Sequence, residues 1–284
     1  MSFSTLIDAQ TLSVRIRAGD VLVVDCRFEL SDPLAGARSY AQGHIPGAVY
    51  ASLDADLSDL SKSPLLGRHP LPDAFAFSAV LSRWGWTPDT PTVTYDAANG
   101  ALAAARLWWM LRLAGARDVS VLDGGIAAWT RAGFALDAGS VRREPTRVDA
   151  TFDAAQIVYT DALVAAMKEP RTLLVDARAA SRYRGENETI DKAAGHVPGA
   201  VNRPFADNLG ADGRFKPVAQ LRAEFETVLG AHRPEAVIHM CGSGVTACHN
   251  LLAMEHAGLA GSRLYAPSWS GWSSDSTRPV ATNA

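Results

Sequence analysis

An internal repeat constrains the fold of this chain more than any other feature. Residues 21–27 read Val-Leu-Val-Val-Asp-Cys-Arg and residues 173–178 read Leu-Leu-Val-Asp-Ala-Arg. Both are short apolar runs ending on charges, as expected of strands buried on both faces of a parallel sheet. Each is followed by a Gly-His-X-Pro-Gly-Ala-Val turn, at residues 43–49 and 195–201. Pro presets φ and Gly accepts positive φ at the centre of a type II turn. The strand aspartates Asp25 and Asp176 lie 151 positions apart, and His44 and His196 lie 152 apart. A second strand, residues 92–96 or 237–241, precedes a helix whose end is marked by Gly115 or Gly258, where glycine suits a left-handed terminal position. Trp129 and Trp272 repeat this last 143-residue spacing. Anchors recurring in one order identify a tandem duplication. Strands alternating with helical stretches predict an α/β fold of two tandem domains, each a parallel sheet flanked by helices.

The expected domains are 1–138 and 156–284, joined by a polar linker at 139–155 that contains Gly139 and Pro145. Residues from about Arg278 are expected to form a loose tail. The net charge of −3, with 20% charged and 48% hydrophobic residues, offers no basic excess for nucleic acid or for a membrane surface. No apolar run approaches the ~20 residues needed to cross a bilayer. The first residues, from Met1 to Leu6, lack the charged and apolar regions of a secretory leader. Three cysteines are too few for a disulfide framework, so a reducing cytoplasm is expected.

The two copies differ where chemistry is expected. After the second strand, copy one has Asp96-Ala97-Ala98-Asn99-Gly100 and copy two has Cys241-Gly242-Ser243-Gly244-Val245-Thr246-Ala247. In open parallel sheets ligands bind beyond the carboxyl ends of the strands. A glycine-rich turn there curls its N–H groups inward as an anion-binding nest, at the positive end of the following helix. Both features favour a thiolate, the nucleophilic form of cysteine. Cys241 is therefore the expected nucleophile, with Gly242, Gly244, Val245 and Thr246 shaping the nest and Ser243 and Thr246 adding hydroxyls.

This seven-residue loop resembles the active-site loop of the rhodanese superfamily, in particular its tandem-domain sulfurtransferases of the 3-mercaptopyruvate type. The two Gly-His-X-Pro-Gly-Ala turns and the segment Leu122-Asp123-Gly124-Gly125-Ile126-Ala127-Ala128-Trp129 resemble that family's other signatures. The resemblance implies that Cys241 takes a sulfane sulfur from a donor, becomes a persulfide, and passes the sulfur to a thiol or cyanide. Such covalent catalysis calls for no cofactor and no metal. Thioredoxin or a small thiol is the acceptor that the resemblance suggests.

In thiosulfate-preferring relatives the resemblance implies basic residues inside the loop, and positions 242–247 hold none. A donor with one carboxylate anchored away from the cysteine fits better, so 3-mercaptopyruvate is the expected donor and thiosulfate the alternative. An arginine matches a carboxylate bidentately, and Arg182 matches the family's substrate-binding position. A second arginine is expected further along, but residues 186–192 read Glu-Asn-Glu-Thr-Ile-Asp-Lys, leaving Arg184 or Lys192 as substitutes. His44 recurs in both copies and so suits a structural role. The resemblance also carries onto His44 and Ser243 a relay with the cysteine.

His239, Cys241, Cys248 and His249 lack the spacing of paired zinc ligands. A Cys-X5-Arg phosphatase would need arginine where Ala247 stands. A non-catalytic binding module would be expected to lack the cysteine, as copy one does.

Overall fold

The structure, a computed structural model, describes residues 5–282. Residues 1–4, which enter the expectation about a leader, and residues 283–284 of the expected tail lie outside the described residues. Ten strands and ten helices alternate along the described chain. The first half holds β1 (Leu6–Ile7), α1 (Ala9–Ala18), β2 (Leu22–Asp25), α2 (Ala35–Gln42), β3 (Val49–Tyr50), α3 (Ala74–Arg83), β4 (Thr92–Tyr95), α4 (Ala103–Leu113), β5 (Val119–Leu122) and α5 (Gly125–Arg131). The second half repeats this with β6 (Ile157–Val158), α6 (Thr160–Ala166), β7 (Leu173–Asp176), α7 (Ala180–Arg184), β8 (Val201–Asn202), α8 (Val218–Leu229), β9 (Val237–Met240), α9 (Ala247–His256), β10 (Arg263–Tyr265) and α10 (Ser268–Trp272).

Each half makes one five-stranded sheet, ordered β1-β5-β4-β2-β3 and β6-β10-β9-β7-β8, with every pairing parallel. The two orders are the same permutation. In both sheets the second strand of its half neighbours the fourth, as β2 neighbours β4 and β7 neighbours β9. All residues of β2, β4, β7 and β9 are buried, which is why these runs lack the polar alternation of a half-exposed strand.

Two compact units emerge. One comprises residues up to Asp59, Leu71–Asp153 and Asp212–Arg214; the other comprises Leu60–Pro70, Ala154–Ala211 and Phe215 onward. The expected domains thus exchange two short segments, and Leu60–Pro70 becomes part of the cysteine-bearing unit. The expected linker runs along the first unit. The Thr146 N–H donates to Ser82 O (3.1 Å), and the Ala150 N–H to Ser78 Oγ (2.9 Å).

The repeat extends to side-chain detail. The Arg27 guanidinium forks onto Asp25 and donates to Gly43 O, and Arg178 does the same with Asp176 and Gly195 O. His44 stacks on Tyr40 (4.1 Å between centroids), with Nδ1 2.8 Å from Tyr40 O; His196 stacks on Tyr183 (3.8 Å), with Nδ1 2.8 Å from Tyr183 O. The backbone N–H of each histidine donates to a distant carbonyl, that of Asp137 or that of Ala281, at 2.8 Å. Ala281 belongs to the expected loose tail, so that expectation is corrected for the described residues. The Trp272 indole N–H also donates to Pro279 O (2.9 Å), just as Trp129 donates to Ala135 O (2.9 Å).

In the first unit the core gathers Leu12, Val23, Ile45, Val93, Tyr95 and Trp129; in the second it gathers Leu163, Leu174, Val197, Ile238, Tyr265 and Trp272. A buried tryptophan removes ~150–250 Å² from water, worth roughly 4–6 kcal/mol at ~25 cal/mol/Å². That burial holds the last helix of each half on its sheet. Among the described residues no helix is long and apolar enough to cross a membrane.

Candidate active site

Cys241 follows β9 directly, at the carboxyl end of the sheet's central strand, and is 1% exposed. Its carbonyl accepts from the Trp269 N–H (2.9 Å), and the Gly242 carbonyl accepts from the Ser270 N–H (2.8 Å). Helix α10 thereby clamps the loop from behind. The Cys241 N–H donates to Ser268 Oγ (3.1 Å), whose own hydroxyl donates to Tyr265 O (3.0 Å). Ser268 is fully buried and has φ +51°. A side chain in the left-handed region costs of order 1 kcal/mol or more, and the equivalent residue of copy one, Gly125, takes φ +56° without a side chain. The strained hydroxyl appears only in the copy that has the cysteine.

The loop then turns through Gly244 (φ +76°) into α9. Thr246 stands at the N-cap and makes no side-chain cap bond. Among the described residues the N–H groups of Gly242, Ser243, Val245 and Thr246 have no acceptor. The sister loop shows what such a turn holds. There Asp96 is fully buried, and its carboxylate accepts from the N–H groups of Ala98 (2.8 Å), Gly100 (2.8 Å), Leu102 (3.1 Å) and Ala104 (3.2 Å). Burial lifts the Asp96 pKa above the ordinary carboxyl value, against the pull of those four donors. Copy one therefore fills its anion nest with its own side chain. Copy two replaces two carboxylate oxygens by one sulfur and leaves donors for an external anion.

Gly242 faces two guanidinium groups. A methyl at this position would lie 3.4 Å from Arg68 Nη2 and 3.7 Å from Arg182 Nη1. Neither of those two nitrogens has an acceptor among the described residues. Carboxylates take the rest of the Arg182 fork and Nη1 of Arg68, while Arg68 Nε is buried with no partner among the described residues. Arg182 donates through Nε and Nη2 to Glu188 (3.0 and 2.9 Å) and through Nη2 to Asp191 (2.9 Å), and Arg68 Nη1 donates to Asp191 (2.6 Å). Arg178 Nη1 reaches Glu188 at 3.5 Å. Burial pushes the Glu188 carboxyl up, but the N–H groups of Ile190 and Asp191 and the Arg182 guanidinium outweigh it and hold it below its ordinary value. A cavity of ≈ 210 Å³ opens beside this cluster, lined by Gly67, Arg68, Ile190, Asp191, Lys192 and Ser270. That is smaller than the ~300–1,000 Å³ of sites for drug-sized ligands, and its walls include Arg68 and Asp191 but neither Cys241 nor Arg182.

Ser243 is bonded to a histidine, and the histidine is His69, with Nδ1 2.8 Å from Ser243 Oγ. The expected pairing of Ser243 with His44 is thus replaced. The His44 ring is held against Tyr40 in the other unit, in the arrangement that His196 repeats. Arg184, expected at the donor, forks onto Glu186 at the surface (2.6 and 2.7 Å). The second arginine at Gly242 is Arg68. The sequence does not single out Arg68 or His69, because residues 60–70 carry no strand or helix period. Their one signal is an Arg-His pair between Pro64 and Pro70 in a segment that the other copy does not repeat.

Val245 is 5% exposed and packs inward. Cys248 donates to Gly244 O (3.5 Å), His239 Nε2 lies 3.1 Å from Met254 Sδ, and His249 Nδ1 lies 3.0 Å from Asn208 Nδ2. Among the described residues no group of three or more His, Cys, Asp or Glu could hold a metal ion.

The sequence model of the rhodanese-like domain matches residues 8–132 and 160–275. A Pseudomonas aeruginosa protein provisionally named 3-mercaptopyruvate sulfurtransferase is 48% identical over 283 residues, covering 99% of each chain. A Mycobacterium tuberculosis protein provisionally named thiosulfate sulfurtransferase is 39% identical, over 97% of this chain and 96% of its own. The crystal structure of an Escherichia coli 3-mercaptopyruvate sulfotransferase superposes with a TM-score of 0.80 at 31% identity, over 94% of this chain and 99% of that one.

Proposed function

The chain belongs to the rhodanese-like domain family and carries two copies of that domain, and we propose that it is a sulfurtransferase acting through a persulfide on Cys241, with 3-mercaptopyruvate as donor. The observation that carries this reading is the contrast between the two loops. One nest is closed by the Asp96 carboxylate; the other presents a cysteine and, among the described residues, the N–H groups of Gly242, Ser243, Val245 and Thr246 without acceptors.

In this reading the donor carboxylate takes the open edges of Arg68 and Arg182, and its sulfur lies toward Cys241. The Cys241 thiolate attacks that sulfur, an S–S bond forms and the donor's C–S bond breaks. The bonding pair passes to carbon as an enolate, which accepts the proton that the donor thiol loses and becomes pyruvate. Ser243 and His69, hydrogen-bonded to each other, are the groups that move that proton from sulfur to carbon. The persulfide left on Cys241 is an anion, and the loop N–H groups stabilise it as their counterparts stabilise Asp96. An acceptor thiolate then attacks the outer sulfur and restores the Cys241 thiolate.

The acceptor is a thiol, of the size of thioredoxin or smaller, or cyanide in an assay. None of the three cysteines is in a disulfide, in keeping with a cytoplasmic setting. His44 holds its turn and takes no part in the reaction, and Arg184 stays outside the site.

The test is mass spectrometry of the protein after incubation with donor. One added sulfur, removable by dithiothreitol and absent in Cys241→Ser, is expected. No uptake from either mercaptopyruvate or thiosulfate would sink the reading, and a higher kcat/KM for thiosulfate would overturn the choice of donor.

A further inference from the structure

The arginines beside Cys241 are not free cations. Arg68 and Arg182, which face Gly242, join Arg178 in sharing hydrogen bonds with three buried carboxylates, Asp176, Glu188 and Asp191. The cluster is therefore neutral as a whole, and Lys192 on the cavity wall is the further cation nearby. The Glu188 and Asp191 side chains are 1% and 2% exposed, so their charges are poorly screened from a bound donor.

These two carboxylates come from a stretch that copy one lacks. The stacked tyrosine and histidine are four residues apart in copy one (40 and 44) and thirteen apart in copy two (183 and 196). The nine extra residues lie between α7 and the Gly-His turn and contain both Glu188 and Asp191. The extra stretch, like the cysteine and the strained serine, belongs to the copy that bears the nucleophile.

We propose that Glu188 and Asp191 are the donor-selectivity residues of this site: they hold the two guanidinium groups so that Arg68 Nη2 and Arg182 Nη1 stay open toward Gly242, and they cancel the charge that a dianion would need. A donor with a single carboxylate finds two converging donors and a neutral surrounding. Thiosulfate, with two negative charges on a small group, meets the same two edges backed by two buried anions. The residues act through Arg68 and Arg182, so they are positioning residues. The inference rests on the sulfurtransferase reading and deepens it.

The experiment compares kcat/KM for mercaptopyruvate and for thiosulfate, with cyanide as acceptor, in the full chain and in Asp191→Asn, Glu188→Gln and Asp191→Glu. Removing one buried negative charge near the donor is expected to raise the thiosulfate-to-mercaptopyruvate ratio about tenfold or more, chiefly through a lower KM for thiosulfate. Asp191→Glu, which keeps the charge, is expected to leave the ratio near its original value. An unchanged ratio in Asp191→Asn overturns the proposal, even if both donors weaken together, because the carboxylates would then only brace the arginines. A shift in Asp191→Glu as large as that in Asp191→Asn overturns it too. Among the described residues Asp191 accepts only from arginine side chains, so its variants decide the matter should Glu188→Gln fail to fold. Failure of the underlying reading shows separately, as no sulfur uptake by the unaltered protein.

Discussion

Replacing Gly242 by alanine tests the donor geometry with a single methyl group. Gly242 does not take a positive φ, so alanine fits its backbone. The added methyl would lie 3.4 Å from Arg68 Nη2 and 3.7 and 3.8 Å from the Arg182 Nη1 and Nη2. A carboxylate oxygen bonded to a guanidinium must come within ~2.7–2.9 Å of nitrogen, so methyl and carboxylate compete for one space. Loss of one charge-assisted hydrogen bond costs ~1.5–3 kcal/mol. At ~1.36 kcal/mol per factor of ten, kcat/KM for mercaptopyruvate should fall ~10–150-fold. The fall should sit mainly in KM, because Cys241 and its loop bonds are untouched, and the melting temperature should stay unchanged. Steady-state kinetics with cyanide as acceptor measures this. An unchanged KM, or a loss confined to kcat, would refute carboxylate binding at the two arginine edges.

The other expectations concern the scaffold of the same loop. Burial pushes His239 down to about 3 from an ordinary 6.5, so the unfolded chain takes up a proton first as pH falls. Stability is then complete above pH 6.5 and is lost progressively toward pH 3, by about 2 kcal/mol between pH 6.5 and 5. Urea midpoints at pH 7 and 5 should show this slope, and His239→Thr, the residue copy one has as Thr94, should flatten it. Ser268→Gly removes the strain of φ +51° and the acceptor of the Cys241 N–H. Stability should then change by no more than ~1 kcal/mol while sulfur uptake slows in single-turnover kinetics; equal rates would exclude Ser268 from positioning the loop. Asp96→Asn turns an NH₂ toward backbone donors, so denaturant titration should show a loss of ~2–4 kcal/mol with sulfur uptake by the folded protein unchanged.

The sequence makes the duplication and the reactive loop legible because both are local. Buried strands must be apolar throughout, turns need their Pro-Gly pairs, and a cysteine facing Asp96 across the repeat is a visible asymmetry. Arg68 and His69 are hidden because their role depends on residues 123 and 174 positions away, Asp191 and Ser243, while their own segment has no period. The acidic stretch after Arg184 reads as a gap in an expected basic pattern; only the fold shows Glu188 and Asp191 gripping the arginines from below. The end of the chain looks irregular in sequence because it is held by scattered contacts rather than a helix or strand: the bridge at Ala281, the indole bond to Pro279, and the contacts of Arg278 with Gly271, Asp275 and Trp272. Ser268 carries no sequence signal at all, since its meaning lies in a dihedral angle.

The passage of residues 60–70 into the cysteine-bearing unit has a consequence for ancestry. A duplicated gene first yields two interchangeable halves, and either could be dispensed with. Here the half without the cysteine supplies Arg68 and His69 to the half that bears it. Cutting the chain between Asp153 and Ala154 would yield a C-terminal piece with its cysteine but without that arginine and histidine. Deletion of the earlier half would therefore take both side chains away from the cysteine-bearing unit.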